Sequence, residues 1–130
     1  MNWFDMSRDN LKAARLAKKH GHCRTASSRA YYAVYAALAR VFQRDHEIQF
    51  RYEGNNPGHR QLLALTANNL DAKRYSMHDK HEMKKSLRVL QTLRINADYN
   101  PRLNNSAERE EATIALRNAS SVMKRLGVLV

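Results

Sequence analysis

Apolar residues recur along the chain at the four-and-three step that brings side chains onto one face of a helix. The clearest stripe passes through Met83, Leu87 and Leu90. No segment alternates apolar and polar residues as a half-buried strand does, and the chain holds only four glycines and two prolines. The pattern therefore predicts an all-α protein.

Turn and capping residues divide this pattern into about five helices. The segment from Ala30 to Ala39 is apolar or aromatic almost all the way round, which predicts a central helix enclosed by the others. Asp79 with Glu82 resembles a capping box, and residues 51–58 are predicted as loop. The expected fold is an antiparallel up-and-down bundle. Its helices are predicted at about 4–19, from Thr25 or Ser27 to His46, at 59–70, at 79–99 and from Asn105 or Ser106 onwards.

An arginine occupies the next position of the apolar stripe. Burying the lone charge of Arg94 is costly, so Asp98, one turn later, is the expected local partner. Pro101 disfavours helical geometry at the residue before it and places the helix end near Tyr99. Arg94, Asp98 and Tyr99 are thus predicted to form a half-sheltered polar cluster. The alternative is an ordinary intrahelical ion pair beside a tyrosine that covers the core.

Length and charge narrow the class of protein. The 130 residues correspond to a single domain, 1–130, and 23 basic against 12 acidic residues give a formal charge of +11. This balance favours a polyanionic partner, with RNA or DNA first and an acidic protein or anionic membrane surface next. The alternative is a basic surface that serves only solubility.

Other classes of site and location find little support in the sequence. His20, His22 and Cys23 resemble a fragment of a metal site but lack a second ligand group, so no metal or cofactor is expected. No apolar run is long enough to span a membrane, and the N-terminus lacks the pattern of a signal peptide. A lone cysteine forms no internal disulfide, and a cytoplasmic location is expected.

Three segments in this order resemble a HEPN domain of the small stand-alone prokaryotic branch. They are the run Ser28-Arg29-Ala-Tyr31-Tyr32-Ala within the second helix, Gly58-His59 at the third, and Arg94-x-x-Ala97-Asp98-Tyr99 closing the fourth. Each run is weak alone, but together they cover a basic, all-helical chain from about residue 4 to 126.

The resemblance implies a homodimer in which two copies of the Arg94 segment face each other across a cleft. Many family members are metal-independent RNA-cleaving toxins or defence ribonucleases, often encoded beside a nucleotidyltransferase antitoxin. Others are non-catalytic binding or scaffold domains. The chain departs from the ribonuclease motif because no histidine follows Arg94 at the expected spacing. Tyr99 stands nearest to that place.

The resemblance assigns roles to six residues. Arg94 is expected to hold a phosphate, Asp98 to orient Arg94 or Tyr32, and Tyr99 to donate a proton. Arg29, Tyr32 and His59 are expected to line the cleft, and His59 supplies the missing imidazole if the loop before it brings it there. A tyrosine, with an ordinary pKa near 10, is a poor base.

Whether the chain is an enzyme stays open at this point. RNA cleavage is one hypothesis, and a non-catalytic role is the alternative. In the alternative, the chain binds a nucleotide or pairs with a nucleotidyltransferase-type partner, and Tyr99 is the accessible acceptor for an adenylyl group. A purely structural helical protein is the third reading.

Overall fold

A computed structural model describes residues 2–45, 58–101 and 103–128. No strand occurs in these ranges. The secondary structure consists of five helices: α1 (Trp3–Lys19), α2 (Cys23–Asp45), α3 (His59–Asn68), α4 (Met77–Tyr99) and α5 (Asn105–Arg125).

The long helices run up and down. Trp3 at the start of α1 donates to Gln43 near the end of α2 over 2.7 Å, so the two helices are antiparallel. Helices α4 and α5 are also antiparallel, since Asn96 bonds Glu111 at one end while Asp79 pairs with Arg125 at the other. Helix α2 contacts each of the other four helices. The predictions of an all-α bundle and of a central second helix are confirmed.

The predicted stripes form the core. Met83, Leu87 and Leu90 of α4 are fully buried, as are the small residues of α2 that allow close helix approach. The contact between α1 and α2 includes a buried polar bond, in which the Ser7 hydroxyl donates to the Ala33 carbonyl over 2.6 Å. None of the described helices is both long and apolar enough to cross a membrane.

Several helix ends differ from their predicted positions. Helix α2 begins at Cys23, so Thr25 and Ser27 lie inside it and are not its N-caps. Helix α4 begins at Met77, because the Ser76 side chain accepts a hydrogen bond from the backbone N–H of Asp79. The predicted capping box that starts at Asp79 is therefore wrong.

Other boundaries agree with the prediction to within two residues. Helix α1 ends just before Gly21, which has a φ of 81°, and α5 begins at Asn105 behind the N-cap Asn104. Helix α3 ends at Asn68, two residues before its predicted end. The predicted end of the second helix at His46 and residues 51–57 of the predicted loop 51–58 lie outside the described residues, and Gly58 is the N-cap of α3.

Candidate functional site

Arg94 lies where the buried stripe of α4 meets the aromatic face of α2. Its guanidinium carbon is 5.4 Å from the centre of the Tyr31 ring and 6.0 Å from that of Tyr32. These distances allow cation–π attraction to both rings. The Arg94 side chain keeps only 15% of its surface exposed, so its charge is sheltered by aromatic carbon.

Arg94 has more hydrogen-bonding capacity than its neighbours use. Its Nη1 donates to Asp98 Oδ2 over 3.4 Å, a long contact for an ion pair. Its Nε is buried and has no hydrogen-bond partner among the described residues. A buried donor without an acceptor is costly. The predicted Arg94–Asp98 pair therefore forms, but it leaves the guanidinium able to bind a further anion.

His59 joins this cluster from another helix. It is the first residue of α3, and its Nδ1 is hydrogen-bonded to the Tyr31 hydroxyl. Its ring centre is 5.4 Å from that of Tyr31 and 5.9 Å from that of Tyr35. Gln91 of α4 donates to the His59 carbonyl over 3.2 Å, which fixes the start of α3 against α4. An imidazole thus stands on the same tyrosine ring as Arg94.

Burial and charge set the protonation of this pair. Burial, together with the positive charge of Arg94, lowers the pKa of His59 below its ordinary 6.5. Burial raises the pKa of Tyr31 to about 12. At neutral pH the imidazole is therefore uncharged and the phenol keeps its proton. Because a hydroxyl both donates and accepts, Tyr31 can hold Nδ1 in either tautomer of His59.

Arg24 holds the end of α4 in place. Its Nε donates to Glu108 Oε1 over 2.5 Å, and its two Nη atoms donate to four backbone carbonyls. The shortest of these contacts are 3.0 Å to Ala97 and 2.6 Å to Asn100. The last turn of α4 contains no basic residue of its own. Arg24 therefore supplies the cation that a helix C-terminus favours.

An open cleft of about 470 Å³ lies beside the Arg94–Asp98 pair, between α2 and α4. Arg29 also lines this cleft. Among the described residues its side chain makes one hydrogen bond, a long one of 3.4 Å from Nη1 to Asn10 Oδ1. The lining residues are Arg24, Thr25, Ser28 and Arg29 on α2 with Ala97 and Asp98 on α4.

The model of the HEPN domain matches residues 1–129. The chain belongs to the HEPN domain family. This membership supports a nucleotide- or RNA-related role, and HEPN domains often form dimers. No curated protein and no solved structure matches the chain.

The six residues singled out in this HEPN domain do not all come together. Arg94, Tyr32 and His59 meet around Tyr31, and Asp98 adjoins them. Tyr99 does not join them. It is 72% exposed because five helical residues turn it about 140° away from Arg94. The prediction that Tyr99 shares a half-sheltered cluster with Arg94 is wrong. Arg29 also lies apart from them, in the neighbouring cleft.

Sequence reasoning missed Tyr31, Gln91 and Arg24 as parts of the HEPN site. Tyr31 and Tyr35 are four residues apart, and this spacing signals a shared helix face. No local signal marks Arg24, whose partners are distant in sequence. Across residues 2–45, 58–101 and 103–128, no three histidine, cysteine or acidic side chains are grouped so as to hold a metal ion.

Proposed function

We propose that this HEPN protein is an RNA-directed, metal-independent endoribonuclease of the toxin or defence type. The observation that carries the proposal is that Arg94 and His59 are both held on Tyr31. The pair supplies a phosphate-binding cation and a neutral imidazole. Imidazole is the side-chain group that most often serves in proton transfer.

In the proposed reaction, Arg94 holds the scissile phosphate. The loosely held Nη1 donates to the phosphate oxygens. The negative charge on those oxygens grows as the phosphorus becomes five-coordinate. The sheltered guanidinium therefore stabilises the transition state more strongly than it stabilises the bound RNA before reaction. Asp98 acts as a positioning residue that keeps Arg94 over the tyrosine rings.

His59 handles the protons in this mechanism. The 2′ oxygen attacks the adjacent phosphorus and loses its proton to a bare Nε2, while the bond from phosphorus to the 5′ oxygen breaks. The imidazolium formed in this way returns the proton to the departing oxygen, so His59 ends the reaction uncharged, and the products are a 2′,3′-cyclic phosphate and a free 5′ hydroxyl. A homodimer through the face that bears Arg94 brings two such pairs of Arg94 and His59 to one cleft.

The basic surface of α4 supports RNA as the substrate. His81, Lys85 and Arg88 are exposed on this helix, on the arc that also contains Tyr99. With Lys84 and Val89 they line a groove of about 270 Å³. The lysine and arginine cations of this groove attract the phosphate backbone of RNA outside the Arg94 site.

The test is RNA cleavage in EDTA by the purified protein. We expect the wild-type protein to cleave, and Arg94→Ala and His59→Gln each to slow cleavage by about 10²-fold or more. Arg15→Ala is the control, since it removes an exposed arginine of α1 whose described contact is a long one of 3.4 Å to Ser120, and it is expected to retain most activity. Cleavage that persists in both site variants, or that needs added metal, contradicts the proposal.

The second candidate is a non-catalytic nucleotide-binding or interaction module with a nucleotidyltransferase-type antitoxin partner. The exposed phenol of Tyr99 at the end of α4 favours it, because an acceptor for an adenylyl group has to be accessible. The same experiment separates the two candidates. RNA or nucleotide that binds in an Arg94-dependent way and is never cleaved supports the module over the enzyme.

A further inference from the structure

We infer that the cleft between α2 and α4 is a subsite for a guanine base, in the nucleotide next to the phosphate held by Arg94. The inference rests on the proposed RNA-directed function and names the base that the site selects. The observation behind it is that one cleft is lined by both a carboxylate, Asp98, and a guanidinium, Arg29.

The position of the cleft fits the neighbouring nucleotide. Asp98 follows Arg94 by one turn of α4, and Ser28 precedes Tyr32 by one turn of α2. Helices α2 and α4 are antiparallel, because Arg24 at the start of α2 bonds carbonyls at the end of α4, and both steps therefore lead in the same direction. One turn is about 5.4 Å, a distance that the ribose between a phosphate and its base can span. The cleft is therefore within reach of RNA whose phosphate sits at Arg94.

The lining matches guanine better than the other bases. A carboxylate accepts from two adjacent N–H donors, and only guanine presents N1–H and the N2 amino group side by side. A guanidinium donates to two adjacent acceptors, and guanine presents O6 and N7 together on another edge. Asp98 and Arg29 supply one group of each kind. The hydroxyls of Thr25 and Ser28 are additional donors and acceptors.

Both charged groups have hydrogen-bonding capacity left for a base. Asp98 meets Arg94 only over 3.4 Å, and Arg29 meets Asn10 only over 3.4 Å, both long for charge-assisted bonds. Arg24 differs, since its donors are taken by Glu108 and by carbonyls near the end of α4. It forms a fixed wall that sets the spacing between α2 and α4.

The experiment measures binding of 2′-fluoro pentanucleotides in EDTA. These lack the attacking hydroxyl and consist of uridine with one central guanosine, adenosine or cytidine. We expect the guanosine oligomer to bind about tenfold more tightly than the adenosine oligomer, at the lower end of the discrimination given by a bidentate pair. Arg29→Gln should reduce this ratio to about threefold or less. Arg15→Gln is the matched control, because Arg15 is exposed and has a similar 3.4 Å contact, with Ser120.

A second variant tests the role of the carboxylate. An amide carries one donor and one acceptor, a combination that matches adenine. Asp98→Asn should therefore move the preference from guanosine toward adenosine, and the ratio of the two affinities cancels any general weakening at Arg94.

The outcomes separate this inference from the proposed function. Equal binding of all three oligomers, with affinity still dependent on Arg94, overturns the guanine subsite and leaves the proposed function standing. A guanosine preference lost in Arg29→Gln, in a protein that never cleaves RNA, supports the subsite and overturns the ribonuclease. No binding of any oligomer overturns both.

Discussion

His59 and Arg94 influence each other through charge as well as position. Burial and the nearby guanidinium both disfavour the protonated imidazole, so the pKa of His59 lies below 6.5 in the folded protein. Between that lowered pKa and pH 6.5, the unfolded chain binds more protons at this histidine than the folded protein does. His59 therefore favours folding above about pH 6.5, and that contribution is lost as the pH falls through the folded-state value.

This coupling predicts a titration that depends on Arg94. The His59 ring signal, identified by its loss in His59→Gln, should titrate with a midpoint below 6.5 in an NMR pH series. In Arg94→Gln the midpoint should move upward, because the repelling charge is gone. Arg88→Gln removes a more distant cation from the same helix and should leave the midpoint in place. Equal midpoints in all three proteins would show that Arg94 does not act on His59.

The end of α4 depends on a side chain from another helix. Arg24 donates to carbonyls near that end and to Glu108 at the start of α5, so one guanidinium joins three helices. Its loss leaves the Glu108 carboxylate, which is mostly buried, without its cation. The residues that bear the site, Arg94 and Asp98, lie in the last two turns of the tethered helix.

Arg24→Met is therefore expected to lower the free energy of unfolding by about 2 kcal/mol, the scale of hydrogen bonds to charged groups. Arg15→Met removes an equally long arginine whose only described contact is a long one to Ser120, and it should cost less than about 0.5 kcal/mol. Urea denaturation measures both values. Similar midpoints for the two variants would mean that the Arg24 contacts contribute nothing to stability.

Helix periodicity explains what the sequence predicted and what it missed. The stripe of α4 and the Arg94–Asp98 pair are local, so spacing within one helix was enough to predict them. The contact of His59 with Tyr31 depends on how α3 docks against α2 and α4, and periodicity within a helix does not specify docking. The position of Tyr99 was predicted from nearness in sequence to Arg94, although the helical turn sends its side chain elsewhere.

At the scale of the molecule, α4 has an unusual exposed surface. It holds three of the five large apolar side chains that are exposed in the described residues: Met77, Ile95 and Tyr99. Ile95 and Tyr99 are one turn apart, next to the Arg94 site. Apolar and aromatic residues beside a charged rim are typical of an interface between subunits.

Ile95 tests the proposed homodimer. Ile95→Glu should convert the dimer to a monomer, because it places a charge in the centre of the contact, where it would be buried unpaired. Leu16→Glu is the matched control, since Leu16 is 60% exposed against 49% for Ile95 and belongs to α1. Light scattering at high micromolar concentration gives the mass. A wild-type protein that is already monomeric there would remove the dimer from the proposal.

The contacts that Arg24 makes with Glu108 and with the end of α4 can form only late in synthesis of these helices. Glu108 follows Arg24 by 84 residues. At roughly 5–20 residues per second, a ribosome adds that length in roughly 4–17 s. During this interval Arg24 has no Glu108 carboxylate to bind, and α5 has not formed to support α4. The nascent chain therefore lacks this support for the Arg94 site, and the messenger RNA that encodes it is not exposed to a finished site until Glu108 has been synthesised.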